Sequence, residues 1–195
     1  MTRVSVLEKV HKKGLFGDFE NVKNEDLIKI SEIKNLLIVQ LVQYKDSLLS
    51  IKDFKIDNLT LDNQALKVNC NSNTRILWQA PKSWILISTR KDLLKDIHEI
   101  FPQNDFAITD LSHSKTVIEI EGNNSKEVLK KGCPFDFNEL KKDICINSTF
   151  NGLTITIDML ENEPMKIRLF ALRSFGDSFY YSITDSCLEF GYKAI

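Results

Sequence analysis

The sequence predicts an α+β fold of mixed and antiparallel sheets carrying split βαβ, ferredoxin-like units. Three observations predict it. Short β-rich runs recur between Asn35 and Leu172, helical stretches fall between those runs, and hairpin turns join several of them. With 195 residues, 43% hydrophobic and 27% charged, the chain has an ordinary globular composition. The expected organisation is an N-terminal arm, residues 1–33, ahead of a single α+β domain, residues 34–195.

Residues 1–33 mix Lys, Glu, Asn and Gly without a sustained period, which predicts an extended arm. Asn35 to Tyr44 is rich in Leu, Ile and Val and of strand length, and a polar region ending in LKVNCNSN follows. Arg75 to Ser88 holds two apolar runs around Ala80-Pro81-Lys82-Ser83. Proline presets the dihedral that a turn needs, so this is a hairpin. In KDLLKDIHEIF, Leu93, Leu94, Ile97 and Phe101 recur at helical spacing and make one apolar face, with His98 beside it as a surface or half-buried side chain.

Phe106 to Leu111 reads as a further strand. Thr116 to Glu121 alternates apolar with polar residues, the mark of a strand with one buried face, and Gly122 ends it. NNSKEVLKK opens on an Asn/Ser cluster able to cap a helix, turns Val128 and Leu129 inward and ends on two lysines. After a break at Gly132-Cys133-Pro134 and a loop through Asn138, two long β-rich runs, Asn151 to Leu160 and Met165 to Leu172, flank the turn Glu161-Asn162-Glu163-Pro164. Ser174 to Tyr192 spaces Phe175, Phe179, Ile183 and Cys187 four apart, predicting a closing amphipathic helix, with a strand over 179–183 as the rival. No internal repeat is evident.

With 26 basic and 27 acidic side chains the net charge is −1, which argues against nucleic-acid and anionic-membrane partners. Charged residues interrupt every apolar stretch near the N-terminus. The run Leu36 to Val42 is far short of the roughly 20 residues that span a bilayer, so the expected location is cytoplasmic. The Asn-x-Ser/Thr triplets at Asn58, Asn123 and Asn147 are then chance matches. Cys70, Cys133, Cys145 and Cys187, and His11, His98 and His113, show no metal-ligand spacing, and no metal is expected. Glycine-rich dinucleotide and phosphate loops and nucleophile elbows are missing too, so no cofactor is expected in this chain.

TDLSHS places Asp110, Ser112 and His113 together, the residue types of an acid, a nucleophile and a base. Triad members converge from separate elements, whereas neighbours on a strand point to opposite faces, so a turn-stabilising hydrogen-bond cluster is the better reading.

These residues also carry a resemblance. ITDLSHSKTVIEIEGNNSKEVLKKGCPFDF, preceded by RILWQAPKSWILIS and followed by Arg173-Ser174-Phe175, resembles the sarcosine oxidase gamma subunit family over the region from Arg75 onward. The chain departs from the family's wording at Ile146-Asn147-Ser148-Thr149 and at Phe179-Tyr180-Tyr181. The resemblance implies a fold similar to the folate-binding aminomethyltransferase of the glycine cleavage system. It implies a non-catalytic structural subunit beside alpha, beta and delta chains, within a heterotetramer that oxidatively demethylates sarcosine and passes the one-carbon unit to tetrahydrofolate. FAD, FMN, NAD, zinc and tetrahydrofolate would then belong to partner subunits.

The family-motif or interface candidates are Trp78, Trp84, Asp110, Ser112, His113, Gly132, Arg173, Ser174 and Phe179. The N-terminal arm, the tryptophan hairpin and the aromatic final helix are the candidate contact surfaces. For the tryptophans core packing is the default, for the helix inward packing is, and for Lys130, Lys131 and Arg173 a solvated or dipole role is. The alternative is a free-standing folate-binding aminomethyltransferase-like one-carbon protein, although Asp158 and Glu161 to Glu163 match no folate-facing carboxylate with assurance. A small-molecule carrier or assembly factor is the third reading.

Overall fold

The computed structural model describes residues 5–195; residues 1–4 of the expected arm lie outside them. Along the chain run β1 (Gly14–Phe16), β2 (Ile28–Glu32), β3 (Leu37–Gln43), β4 (Lys55–Ile56), β5 (Leu59–Thr60), β6 (Val68–Cys70), β7 (Thr74–Ala80) and β8 (Ser83–Ser88). Then come α1 (Leu93–Ile100), β9 (Phe106–Asp110), β10 (Lys115–Glu121), α2 (Ser125–Lys130), β11 (Cys145–Phe150), β12 (Leu153–Asn162), β13 (Met165–Leu172), α3 (Gly176–Cys187) and β14 (Tyr192–Ala194). The α+β class is as the sequence predicts. The division is not: the chain forms two compact units, one of Asn35–His113 with Asp143–Cys145, the other of the chain as far as Lys34 with Ser114–Lys142 and Ile146–Ile195.

In the continuous unit the sheet order is β6-β7-β8-β3-β9. β3 pairs antiparallel with both β8 and β9, so β8, α1 and β9 form a split βαβ unit around it. The expected hairpin turns at Pro81-Lys82, where Lys82 takes a φ of 61°. α1 turns Leu93 and Ile97 into a core shared with Val39, Leu41, Trp84 and Phe106, and leaves His98 exposed. Each strand of this sheet gains by hiding branched side chains that no local contact could cover. The polar region after Tyr44 holds the β4–β5 hairpin, whose turn residues Asp57 and Asn58 both have positive φ.

In the discontinuous unit the order is β1-β14-β2-β10-β13-β12-β11. Here the expected arm is corrected. β2 pairs antiparallel with β10 and parallel with β14, and its Leu27, Ile28 and Ile30 flank are buried, because IKISE alternates just enough apolar residues to close a sheet whose other strands come from far along the chain. α2 and α3 pack on each other and on β13. Val128 and Leu129 face inward as expected, but Asn124 makes no side-chain capping bond. The strand run expected from Asn151 is present as β12 but starts at Leu153, because Asn151 and Gly152, both at positive φ, form the turn that joins it to β11. The closing helix ends at Cys187, and Gly191 at φ 67° hands the chain to β14, which takes Tyr192 out of the helix.

Candidate functional site

The motif candidates fall into the two units. Trp84 is buried and donates from Nε1 to the Asp62 carbonyl at 2.6 Å. Trp78 sits in register opposite it at a β-bulge, half-buried, and its carbonyl accepts from the Cys145 thiol at 3.1 Å. Asp110 accepts from the Ser112 amide at 2.8 Å, the Ser112 hydroxyl accepts from the Ile38 amide at 3.0 Å, and the Ile38 carbonyl accepts from the Leu111 amide at 2.7 Å. These bonds fasten the end of β9 to β3. His113 points to solvent.

In the discontinuous unit, Gly132 lies where α2 ends against the β11–β12 turn. Its carbonyl accepts from the Asn151 amide at 2.9 Å, and a Cβ there would come within 2.6 Å of Asn151 Oδ1. Arg173 and Ser174 form a 3-10 turn ahead of α3, where the Arg173 amide donates to the Ser114 carbonyl. Phe179 is fully buried and meets Phe150 edge-on, whereas Phe175, expected on the same stripe, precedes the helix and is exposed. Lys130 pairs with Glu127, while Lys131 crosses to α3, donating to the Ser186 carbonyl at 2.6 Å and pairing with Glu189. The carboxylates weighed for folate are engaged otherwise: Asp158 is fully buried in register with Arg168, and Glu161 pairs with Lys142.

Sequence reasoning missed a groove of about 370 Å³ along α3. Its floor is Phe16, Tyr180 and Tyr192, with Phe16 stacked on Tyr192 at 5.2 Å between ring centres. One wall is α3 with its C-cap, presenting Tyr181 at 59% exposure and Leu188, the first residue after the helix, at 43%. The other is the segment holding Lys9, Val10 and Lys12. His11 pins that segment: Nε2 donates to the Ile195 main-chain oxygen at 3.0 Å, and Nδ1 is hydrogen-bonded to the Tyr180 hydroxyl at 2.9 Å. Burial pushes the phenols of Tyr180 and Tyr192 up, as a floor shielded from water requires. The signal available was the aromatic pair at 180–181 beside Tyr192; which residues would face it depended on the first 16 residues, whose place no local pattern fixes.

Among the described residues no cluster of three or more His, Cys, Asp or Glu could hold a metal ion, and no helix is long and apolar enough to cross a membrane.

Residues 55–189 match the model of the family described as sarcosine oxidase, gamma subunit family, upstream of Arg75 as well as beyond it. A curated relative, sarcosine oxidase subunit gamma of Corynebacterium sp. (strain U-96), is 24% identical over 120 residues, 61% of this chain and 58% of that protein, so the chain aligns with less than two thirds of its length. The fold is similar to a chain of the heterotetrameric sarcosine oxidase from Corynebacterium sp. U-96 in complex with pyrrole 2-carboxylate, with a TM-score of 0.76 and 20% identity over 87% of this chain and 88% of that one. It is also similar to the glycine cleavage system aminomethyltransferase T from Bartonella henselae, with a TM-score of 0.57 and 11% identity over 88% of this chain and 48% of that one.

Proposed function

The chain belongs to the sarcosine oxidase, gamma subunit family, and on that premise we propose that it is the non-catalytic structural subunit of a heterotetrameric sarcosine oxidase. The family match over residues 55–189 carries this reading. Alpha, beta and delta chains are the proposed partners. FAD, FMN, NAD, zinc and tetrahydrofolate are assigned to those partners, where sarcosine is demethylated and the one-carbon unit passes to folate. The likeness to aminomethyltransferase T is one of fold, and it covers 48% of that enzyme. A cytoplasmic location agrees with four cysteines held as thiols, three of them buried.

Docking rather than chemistry suits the engagements of the motif residues. Asp110 and Ser112 spend their hydrogen bonds on joining β9 to β3. The test is co-expression with the alpha, beta and delta chains, followed by size exclusion and a sarcosine oxidation assay with and without this chain. Co-elution, with loss of assembly or activity on omission, is the expected result. A chain that runs alone and binds tetrahydrofolate tightly would overturn the reading in favour of a one-carbon protein.

A further inference from the structure

We propose that the groove along α3 seats an acidic, apolar-faced segment of a partner subunit, an inference that rests on reading this chain as a subunit of a larger complex. The two walls of the groove differ in kind. Tyr181 on α3 and Leu188, its C-cap and the first residue of the 3-10 turn that follows, stand seven residues apart, about two turns, and both are exposed apolar side chains on the groove's lining. Exposed aromatic and aliphatic side chains beside a preformed concavity are where protein partners find their anchors.

The opposite wall is basic. Lys9 and Lys12 are exposed, and among the described residues neither forms an ion pair. Asp185 supplies the acidic side chain of the lining, so two ammonium groups stand against one carboxylate. That imbalance favours a segment bearing carboxylates on its flank and disfavours a basic one. The aromatic floor asks for apolar side chains rather than for a wholly ionic ligand.

The groove is also held open in advance. His11 lies between Lys9 and Lys12 in sequence, and its two ring bonds, to Tyr180 and to Ile195, tie the basic wall to the helix it faces. A partner segment entering it need not order that wall, which lowers the cost of association.

The experiment reconstitutes the complex from the full chain and the alpha, beta and delta chains. It compares the wild type with Lys9→Glu/Lys12→Glu, Lys9→Arg/Lys12→Arg and Tyr181→Ser/Leu188→Ser, circular dichroism confirming that each variant folds. The charge-reversed and apolar-to-serine variants are expected to join the complex about tenfold more weakly, and the arginine variant to match the wild type. A photo-crosslinking p-benzoylphenylalanine at position 181 is expected to capture an acid-rich peptide of a partner subunit. Wild-type assembly by the two disruptive variants, or an adduct with a second copy of this chain or with a basic segment, overturns the inference. If the wild-type chain fails to join the partners at all, the subunit reading falls first and this one with it.

Discussion

Glu119 and Arg168 face each other across β10 and β13, one carboxylate oxygen accepting from Nε at 2.8 Å and from Nη2 at 2.6 Å. The pair is almost dry, with Glu119 5% exposed, and Lys166 adds a second cation at 3.0 Å. Arg168 is also in register with the fully buried Asp158 of β12. Removing Arg168 leaves the buried Glu119 carboxylate with Lys166 as its remaining cation among the described residues. Arg168→Ala is expected to destabilise the fold by about 3 kcal/mol in urea denaturation, because the remaining charges keep their desolvation cost. A loss below about 1 kcal/mol would mean that Lys166 alone suffices.

Asp57 accepts from the Thr74 hydroxyl at 2.6 Å, the Asn71 amide at 3.1 Å and Arg90 at 2.7 Å, tying the β4–β5 turn to its sheet. These donors, Thr74 foremost, hold its carboxyl below the ordinary 3.8 against an opposing desolvation. A depressed acid contributes stability above its unfolded value and loses it as pH falls through the folded one. Asp57→Asn is therefore expected to cost about 2 kcal/mol at neutral pH and to flatten the fall in stability below about pH 4, both read by denaturation at a series of pH values.

Gly132→Ala brings a methyl within 2.6 Å of Asn151 Oδ1 and 3.0 Å of the Phe150 ring. Asn151 cannot simply swing aside, since its Nδ2 donates to Ser182 Oγ at 2.7 Å. The expected loss is about 1–3 kcal/mol by thermal or chemical denaturation. An unchanged melting temperature would show that the turn gives way freely.

Cys187 is wholly buried in α3, and burial pushes its thiol up to about 12, with Lys131 pulling weakly the other way. Burial raises Cys133 as well, while its bond to Ser148 opposes. Alkylation at about pH 8, mapped by mass spectrometry, is expected to mark the half-buried Cys70 in the native protein and Cys187 only after unfolding. Native-rate labelling of Cys187 would contradict the packing of α3.

What the sequence disclosed follows how local each signal was. The 75–88 hairpin, the helix from Leu93 and the strand ending at Gly122 were legible because their cues lie within a dozen residues. β2 and β14 were not, because IKISE and YKA are short, half-polar pieces that become strands only by pairing with each other and with distant partners, β2 with β10 and β14 with β1. Asn151-Gly152 did carry a local turn signal, which the long β-rich run around it obscured. Glu119 looked solvent-facing from alternation, since Arg168 opposite it comes from another strand. The motif resemblance was visible from Arg75 onward, whereas the groove needed His11 to bring Lys9 and Lys12 against α3.

β14 lies between β1 and β2, so two of the earliest-made strands of the sheet are separated by one of the last. A chain emerging N-terminus first carries β2 with one side unmatched until residues 192–194 have been synthesised, while the continuous unit already has nearly all of its sequence. Assembly order is thereby written into connectivity: completion of one sheet waits for residues 192–194, and the entropy of closing so long a loop makes that step slow. A stop before Tyr192 would leave β1 and β2 as facing edges, open to pairing with the wrong chain.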